Sequence, residues 1–147
     1  MKNMVLLIDS NVIMDVILNR EPFFEKSYRI TEMCKNEEVD AYLAAHTITN
    51  AYYSLRKHFS IDERRDIIIA LFTVYQIVSI DSEKLLNALN NREFKDFEDC
   101  LQVECAKSIK ADYIITRDAK DFANSEITFL TPEEFCSKFE ENSNDNI

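Results

Sequence analysis

With 147 residues, 46% of them hydrophobic and 30% charged, the chain is long enough for one domain with a full core. Its 27 acidic residues outweigh 17 basic ones, a net charge of −10, which excludes the broad basic surface that nonspecific nucleic-acid binding needs. It has no glycine, so the glycine-dependent phosphate loops and the G-x-S-x-G nucleophile elbow are excluded as well.

In chain order, Met4–Ile8 is a continuous apolar run, as expected for a strand buried on both faces. Val12, Ile13, Val16 and Ile17 predict a helix over 11–19, which Glu21-Pro22 breaks. A second helix is expected over 23–36, a short strand over 41–44, and a helix over 47–59 carrying Ile48, Ala51, Tyr52 and Leu55. Ser60 with Glu63 forms a capping-box pattern that opens a helix to about residue 75. A strand over 76–80 leads to "DSEK", where Asp81 caps a helix toward 91. A helix over 97–110 follows, with Phe97, Leu101, Cys105 and Ile109 in one stripe. Strands are expected over 113–116 and 127–130, and Thr131-Pro132 starts a last helix. Strands alternating with helices predict an α/β fold, a three-layer α/β/α sandwich on a mainly parallel sheet. Residues 1–140 form its single domain and 141–147 a frayed polar tail. No apolar run approaches the roughly 20 residues of a spanning helix, and the N-terminal run is too short for a secretory signal. A cytoplasmic protein without membrane association is expected. The four cysteines, Cys34, Cys100, Cys105 and Cys136, lack C-x-x-C spacing and read as buried free thiols.

Ligands in such sheets bind beyond the carboxyl ends of the strands. Asp9 follows the first strand directly, and Arg117 and Asp118 follow the "YIIT" strand. Asp96 and Asp99, three apart, share a helix face in "FKDFEDCLQ". Asp99 falls in the first turn, where the helix dipole favours an anion. Taken singly, each acid has a plain structural role: Asp9 or Ser10 as a cap, Asp99 as a first-turn acid, Asp118 and Asp121 as turn residues, Asp96 and Glu98 as solvated groups.

Taken together, "LLIDSNVIMDVIL", "HTITNAYYSLRK" and "DFEDCLQVECAKSIKADYIITRDAKDF" resemble the PIN domain family in order and spacing, from Met4 to about Phe135. The resemblance implies a PIN-like, Rossmann-like sandwich and a small metal-dependent ribonuclease, many relatives being toxins of bacterial toxin–antitoxin pairs. Carried over by position, it implies Asp9, Asp99 and Asp118 as the catalytic acids. It implies that they hold Mg²⁺ or Mn²⁺ together with the residue at position 50 and Asp121. Position 50, an acid in the family pattern, is Asn50 here. Ser10, Asn11, Asp15 and Asp96 are the supporting groups, and Arg117 is the cation placed for substrate phosphate. The chemistry needs such a cluster because carboxylates alone repel a phosphodiester, whereas a bound cation reverses the local sign and activates water.

The implied function is hydrolysis of RNA, with a small antitoxin protein as partner and a homodimer as the assembly. The apolar run 67–72 is richer than one core face needs, and an interface there is expected. The rival reading is a PIN-like module in which Asn50 weakens or abolishes catalysis, leaving RNA or protein binding. A response-regulator phosphoacceptor lacks its lysine after the last strand, and a haloacid-dehalogenase site lacks its D-x-D. His46 and His58, with no third histidine, do not make a zinc site.

Overall fold

The structure, a computed structural model, describes residues 2–94, 96–119 and 125–145, with side chains to residue 140. Its five strands are β1 (Met4–Ile8), β2 (Val39–Ala44), β3 (Gln76–Val78), β4 (Tyr113–Ile115) and β5 (Thr128–Leu130). The helices are α1 (Ser10–Ile17), α2 (Phe24–Lys35), α3 (Ala45–Ser54), α4 (Ile61–Leu71), α5 (Ser82–Asn90), α6 (Phe97–Ser108) and α7 (Pro132–Asp145). All strand pairs are parallel and the order is β3-β2-β1-β4-β5. The chain moves outward from β1 through β2 to β3, then crosses to β4 on the other side of β1. That reversal creates a crevice at the carboxyl ends of β1 and β4.

The pleat explains the two layers of helices. Leu6 and Ile8 point to one face, where they pack with Val12 and Ile13 of α1, Ile30 and Met33 of α2, and Phe135 and Cys136 of α7. Leu7 points to the other, with Val103, Cys105 and Ala106 of α6. A third cluster, Met14, Ala51, Leu55 and Ile68, joins α3 and α4 to the open side of α1. The expected three-layer sandwich with a parallel sheet is the fold observed. All four cysteines are free and buried, and no helix among the described residues is long and apolar enough to cross a membrane.

The differences from sequence expectation lie at element ends. α3 stops at Ser54, and Leu55–Lys57 tighten into a 3-10 turn that sets Leu55 fully inside the core. α4 opens on the expected Ser60–Glu63 capping box but ends at Leu71, short of residue 75. There the amides of Phe72, Thr73 and Val74 turn to carbonyls three residues back, and Thr73 Oγ1 caps the Ala70 carbonyl at 2.6 Å. The tightening turns Tyr75 into the core, where its hydroxyl meets Thr31 Oγ1 at 3.1 Å. At the other end of the chain, α7 continues through Asp145, past the residue at which the sequence suggests a polar tail.

Candidate active site

The crevice between β1 and β4 collects the polar groups. Asp9 stands one residue beyond β1, and its amide closes the sheet onto the Ile115 carbonyl at 2.9 Å. It is the N-cap of α1: Oδ1 accepts from the Ser10 amide at 2.7 Å. The same carboxylate looks outward from the cap. Oδ1 also accepts from Gln102 Nε2 at 3.2 Å, and Oδ2 accepts from Thr116 Oγ1 at 2.8 Å. Capping and site placement are therefore one arrangement. Burial pushes the Asp9 carboxyl above its usual range, the Thr116 and Ser10 bonds pull the other way, and the Asp118 charge adds to the rise.

Asp118 arrives three residues beyond β4. Asn11 holds it: Nδ2 donates to Asp118 Oδ2 at 3.3 Å and to Thr116 Oγ1 at 3.2 Å, while Oδ1 accepts from the Arg117 amide at 3.3 Å. Asn11 thus supports Asp118 directly and Asp9 only through Thr116. Ser10 supports Asp9 chiefly through its amide, its hydroxyl lying 3.5 Å away.

α6 supplies the third wall. Asp96 is its N-cap, and Asp96 Oδ1 accepts from the Asp99 amide at 3.1 Å. This bond fixes the first turn and with it the half-buried Asp99. One turn further on, Gln102 is only 5% exposed. Its Nε2 bridges Asp9 and Thr47 Oγ1, the latter at 3.2 Å, and its Oε1 is buried with no hydrogen-bond partner among the described residues. Asn50 lies on α3, one turn beyond Thr47, and its Nδ2 donates to Glu98 Oε2 at 3.4 Å. His46, at the start of α3, is kept below its ordinary pKa by burial, opposed by the charges of Glu98 and Asp9.

Asp15 does not enter the crevice. It is fully buried on α1, with Oδ2 2.9 Å from Arg117 Nε and Oδ1 3.8 Å from Arg20 Nη1. Neither contact has hydrogen-bond geometry, so the attraction is ionic. Arg117 lies over the Phe23 ring, 4.3 Å from its centroid. The guanidinium expected to meet phosphate is thus held by Asp15 and Phe23 while its backbone holds Asn11. Asp121 lies outside the described residues.

Thr116, Gln102 and Thr47 were not legible as site residues. Thr116 reads as the end of a strand, and Thr47 as an ordinary helix residue. Gln102 carried a usable signal: it follows Asp99 by three residues and Glu98 by four, on the same helix face.

The donors gathered here are oxygens, the preference of hard cations. No lysine or arginine among the described residues lies at ion-pair distance from Asp9, Glu98 or Asp118. Among the described residues no three His, Cys, Asp or Glu side chains close into a cage. Mg²⁺ does not require one, since it keeps several waters and takes one or two carboxylates. The buried Gln102 Oε1, without a partner, adds an acceptor with nothing to accept from. The residues present fit a divalent cation.

A PIN domain model matches residues 5–120. The chain belongs to the PIN domain family. It is 30% identical over 142 residues to Ribonuclease VapC1 of Aquifex aeolicus, covering 90% of this chain and 93% of that protein. Among solved structures, a toxin–antitoxin complex from Klebsiella pneumoniae superposes with a TM-score of 0.66 at 21% identity, covering 86% of this chain and 97% of that one. VapBC2 from Rickettsia felis, bound to a DNA fragment from its promoter, does so with a TM-score of 0.65 at 11% identity, covering 87% and 98%. At these identities the structural likeness is one of fold. The strand-end acids Asp9 and Asp118 both lie within the matched PIN segment.

Proposed function

We propose that this PIN domain is a Mg²⁺- or Mn²⁺-dependent ribonuclease, the toxin of a toxin–antitoxin pair, acting in the cytoplasm and blocked by a small antitoxin protein. The observation that carries the reading is the pair of carboxylates, Asp9 and Asp118, meeting at the carboxyl ends of adjacent strands with no lysine or arginine partner among the described residues. The similarity to a protein named Ribonuclease VapC1 over most of both chains supports it, and four free thiols suit a reducing compartment.

Asp9, Asp99 and Asp118 would hold the cation, with Asn50, Asp121 and the Gln102 carbonyl oxygen as neutral or outer donors. When bound, the cation supplies Lewis acidity and a water of lowered pKa. The protein's own part is positioning. Thr116 and Gln102 fix the rotamer of Asp9, Asn11 fixes Asp118, and Asp96 fixes the turn that carries Asp99. Arg117, 29% exposed beside Asp118, is the cation we assign to the substrate phosphate, with Asp15 and Phe23 setting its position. The fold buries the outer side of α4 only in part: Ile61, Ile69 and Phe72 are 55%, 65% and 56% exposed, and we assign this stripe to a homodimer.

Cleavage of a panel of single-stranded and structured RNAs tests the reading. Products should form with Mg²⁺ or Mn²⁺ and vanish with EDTA. Cleavage that persists unchanged in EDTA, or in Asp9→Asn and Asp99→Asn alike, would overturn it.

A further inference from the structure

The last turn of α3 carries two tyrosine–arginine pairs built alike. Arg64 Nη1 donates to the Tyr52 carbonyl at 3.2 Å, and its guanidinium lies over the Tyr52 ring, 4.5 Å from the centroid. Arg56 Nη1 donates to the Tyr53 carbonyl at 3.0 Å, with its guanidinium 3.7 Å from the Tyr53 centroid. Both carbonyls lie at the C-terminal end of α3, where a cation is favoured. The pairs differ in burial. Tyr52 and Arg64 are half-buried, and Tyr52 packs on the Met14, Ala51, Leu55 and Ile68 cluster, so that pair is part of the fold. Tyr53 is 62% exposed, and Arg56 and Lys57 are exposed with it. No acid among the described residues lies at ion-pair distance from Arg56 or Lys57. The nearest acids in sequence, Asp62 and Glu63, sit in the first turn of α4, and Glu63 is bound to Ser60. In a chain of net charge −10, residues 52–58 thus hold two cations and no acid.

α3 connects this surface to the crevice. Thr47 and Asn50 meet α6, and Tyr53 follows Asn50 by three residues, on the same side and about 5 Å further along the helix axis. We propose that Tyr53, Arg56 and Lys57 form a docking surface for single-stranded RNA beside the active site. An unpaired base stacks on the Tyr53–Arg56 platform, while Lys57 and the remaining donors of Arg56 meet phosphate. The choice of RNA rests on the ribonuclease reading above. Stacking on aromatic rings and guanidinium planes is how single strands are held with little sequence preference. The platform is set in advance, because the bond to the Tyr53 carbonyl and the contact with its ring fix the guanidinium. A base within a duplex is stacked on its neighbours and has no free face, so the surface favours single strands. An acidic protein segment would meet the two cations but leave the exposed ring unused.

Fluorescence anisotropy of a short labelled single-stranded RNA, titrated with the full chain in EDTA, tests the surface without the active-site cation. At roughly 0.1 M salt, where charges are screened within about 10 Å, Arg56→Gln/Lys57→Gln should weaken binding at least about tenfold. It should also flatten the log–log salt slope by about 1.4, as the loss of two phosphate contacts from a single strand requires. Lys2→Gln/Lys110→Gln removes the same charge at the amino ends of β1 and β4 and should change affinity less than about twofold. Tyr53→Ala should weaken single-stranded RNA at least about fivefold and Tyr53→Phe less than about twofold. Neither should alter the affinity for a duplex of the same sequence. Circular dichroism of each variant checks that the fold is kept. If Arg56→Gln/Lys57→Gln binds as wild type does, the docking surface is overturned, and Mg²⁺-dependent cleavage by wild type leaves the ribonuclease reading standing. Binding that is lost in this variant, with no RNA cleaved by wild type, upholds the surface and removes the ribonuclease reading. A wild-type chain without affinity for RNA in EDTA overturns the surface.

Discussion

Replacing Asp9 by asparagine separates two things its side chain does. Asparagine caps a helix about as well as aspartate, and burial already favours the neutral form at this site. Asp9→Asn should therefore keep its stability within about 1 kcal/mol in urea unfolding while cleavage falls at least about a hundredfold. Asp15 gives the residue scale its pH dependence. Burial pushes its carboxyl above the usual value of 3.8, against the pull of Arg117 and Arg20. Below pH 3.8 the carboxyl is protonated in the folded and unfolded chain alike. As pH rises, the unfolded chain loses that proton first, so stability falls until the folded-state carboxyl has also ionised. Asp15→Asn cannot lose this proton. It should be at least as stable as wild type at pH 7, and its advantage should shrink as pH falls toward 4. Urea unfolding across that range reads it, and a large loss at pH 7 would show that the ion pair outweighs its burial.

At the scale of elements, a chain without glycine has to end its helices by other means. α1, α2 and α6 all close in the same way, with Asn19, Glu37 and Lys110 at positive φ of 52°, 58° and 53°. In each, the next amide reaches back to the carbonyl five residues before it: Arg20 to Asp15, Glu38 to Met33 and Ala111 to Ala106, all at 2.9 Å. These are Schellman ends, in which glycine is the usual residue because a Cβ is disfavoured at positive φ. Glu37→Gly should therefore stabilise the fold by about 1 kcal/mol, read as a raised urea midpoint with an unchanged slope. The Ser60–Glu63 capping box is the reverse case, since its bonds were legible in the sequence. Ser60→Ala should cost about 1 kcal/mol by the same measurement. Burial set the ends of α3 and α4: Leu55 and Tyr75 go inward, and no local pattern at those positions records that.

For the whole molecule, the proposed function together with the net charge of −10 predicts that RNA binding depends on the cation. Affinity for a short RNA should rise when Mg²⁺ replaces EDTA at matched ionic strength, against the ordinary weakening by salt. Equal affinity in both buffers would remove the cation from recognition. The outward stripe of α4 belongs to this scale too. Ile61, Ile69 and Phe72 recur along one face at spacings of eight and three. A wild-type dimer by light scattering that becomes a monomer in Ile69→Glu/Phe72→Glu is the expected result. A wild-type monomer at high concentration would leave this stripe without the assigned interface.

The sequence by itself determined the layer architecture, because the apolar runs and helical spacings dictate which surfaces must be buried. It also placed Asp9 and Asp118 at strand ends and marked the caps at Ser60, Asp81 and Thr131, since those signals are local. Tertiary structure decided the rest. Only the β1–β4 pairing brings Thr116 and Asn11 between the two acids, and only the packing of α3 on α6 brings Asn50 to Glu98 and Thr47 to Gln102. Glu98, read singly as a solvated group, is exposed and also accepts a hydrogen bond from Asn50 across that packing. Its partner is 48 residues away, and no periodicity in the chain encodes a contact over that distance.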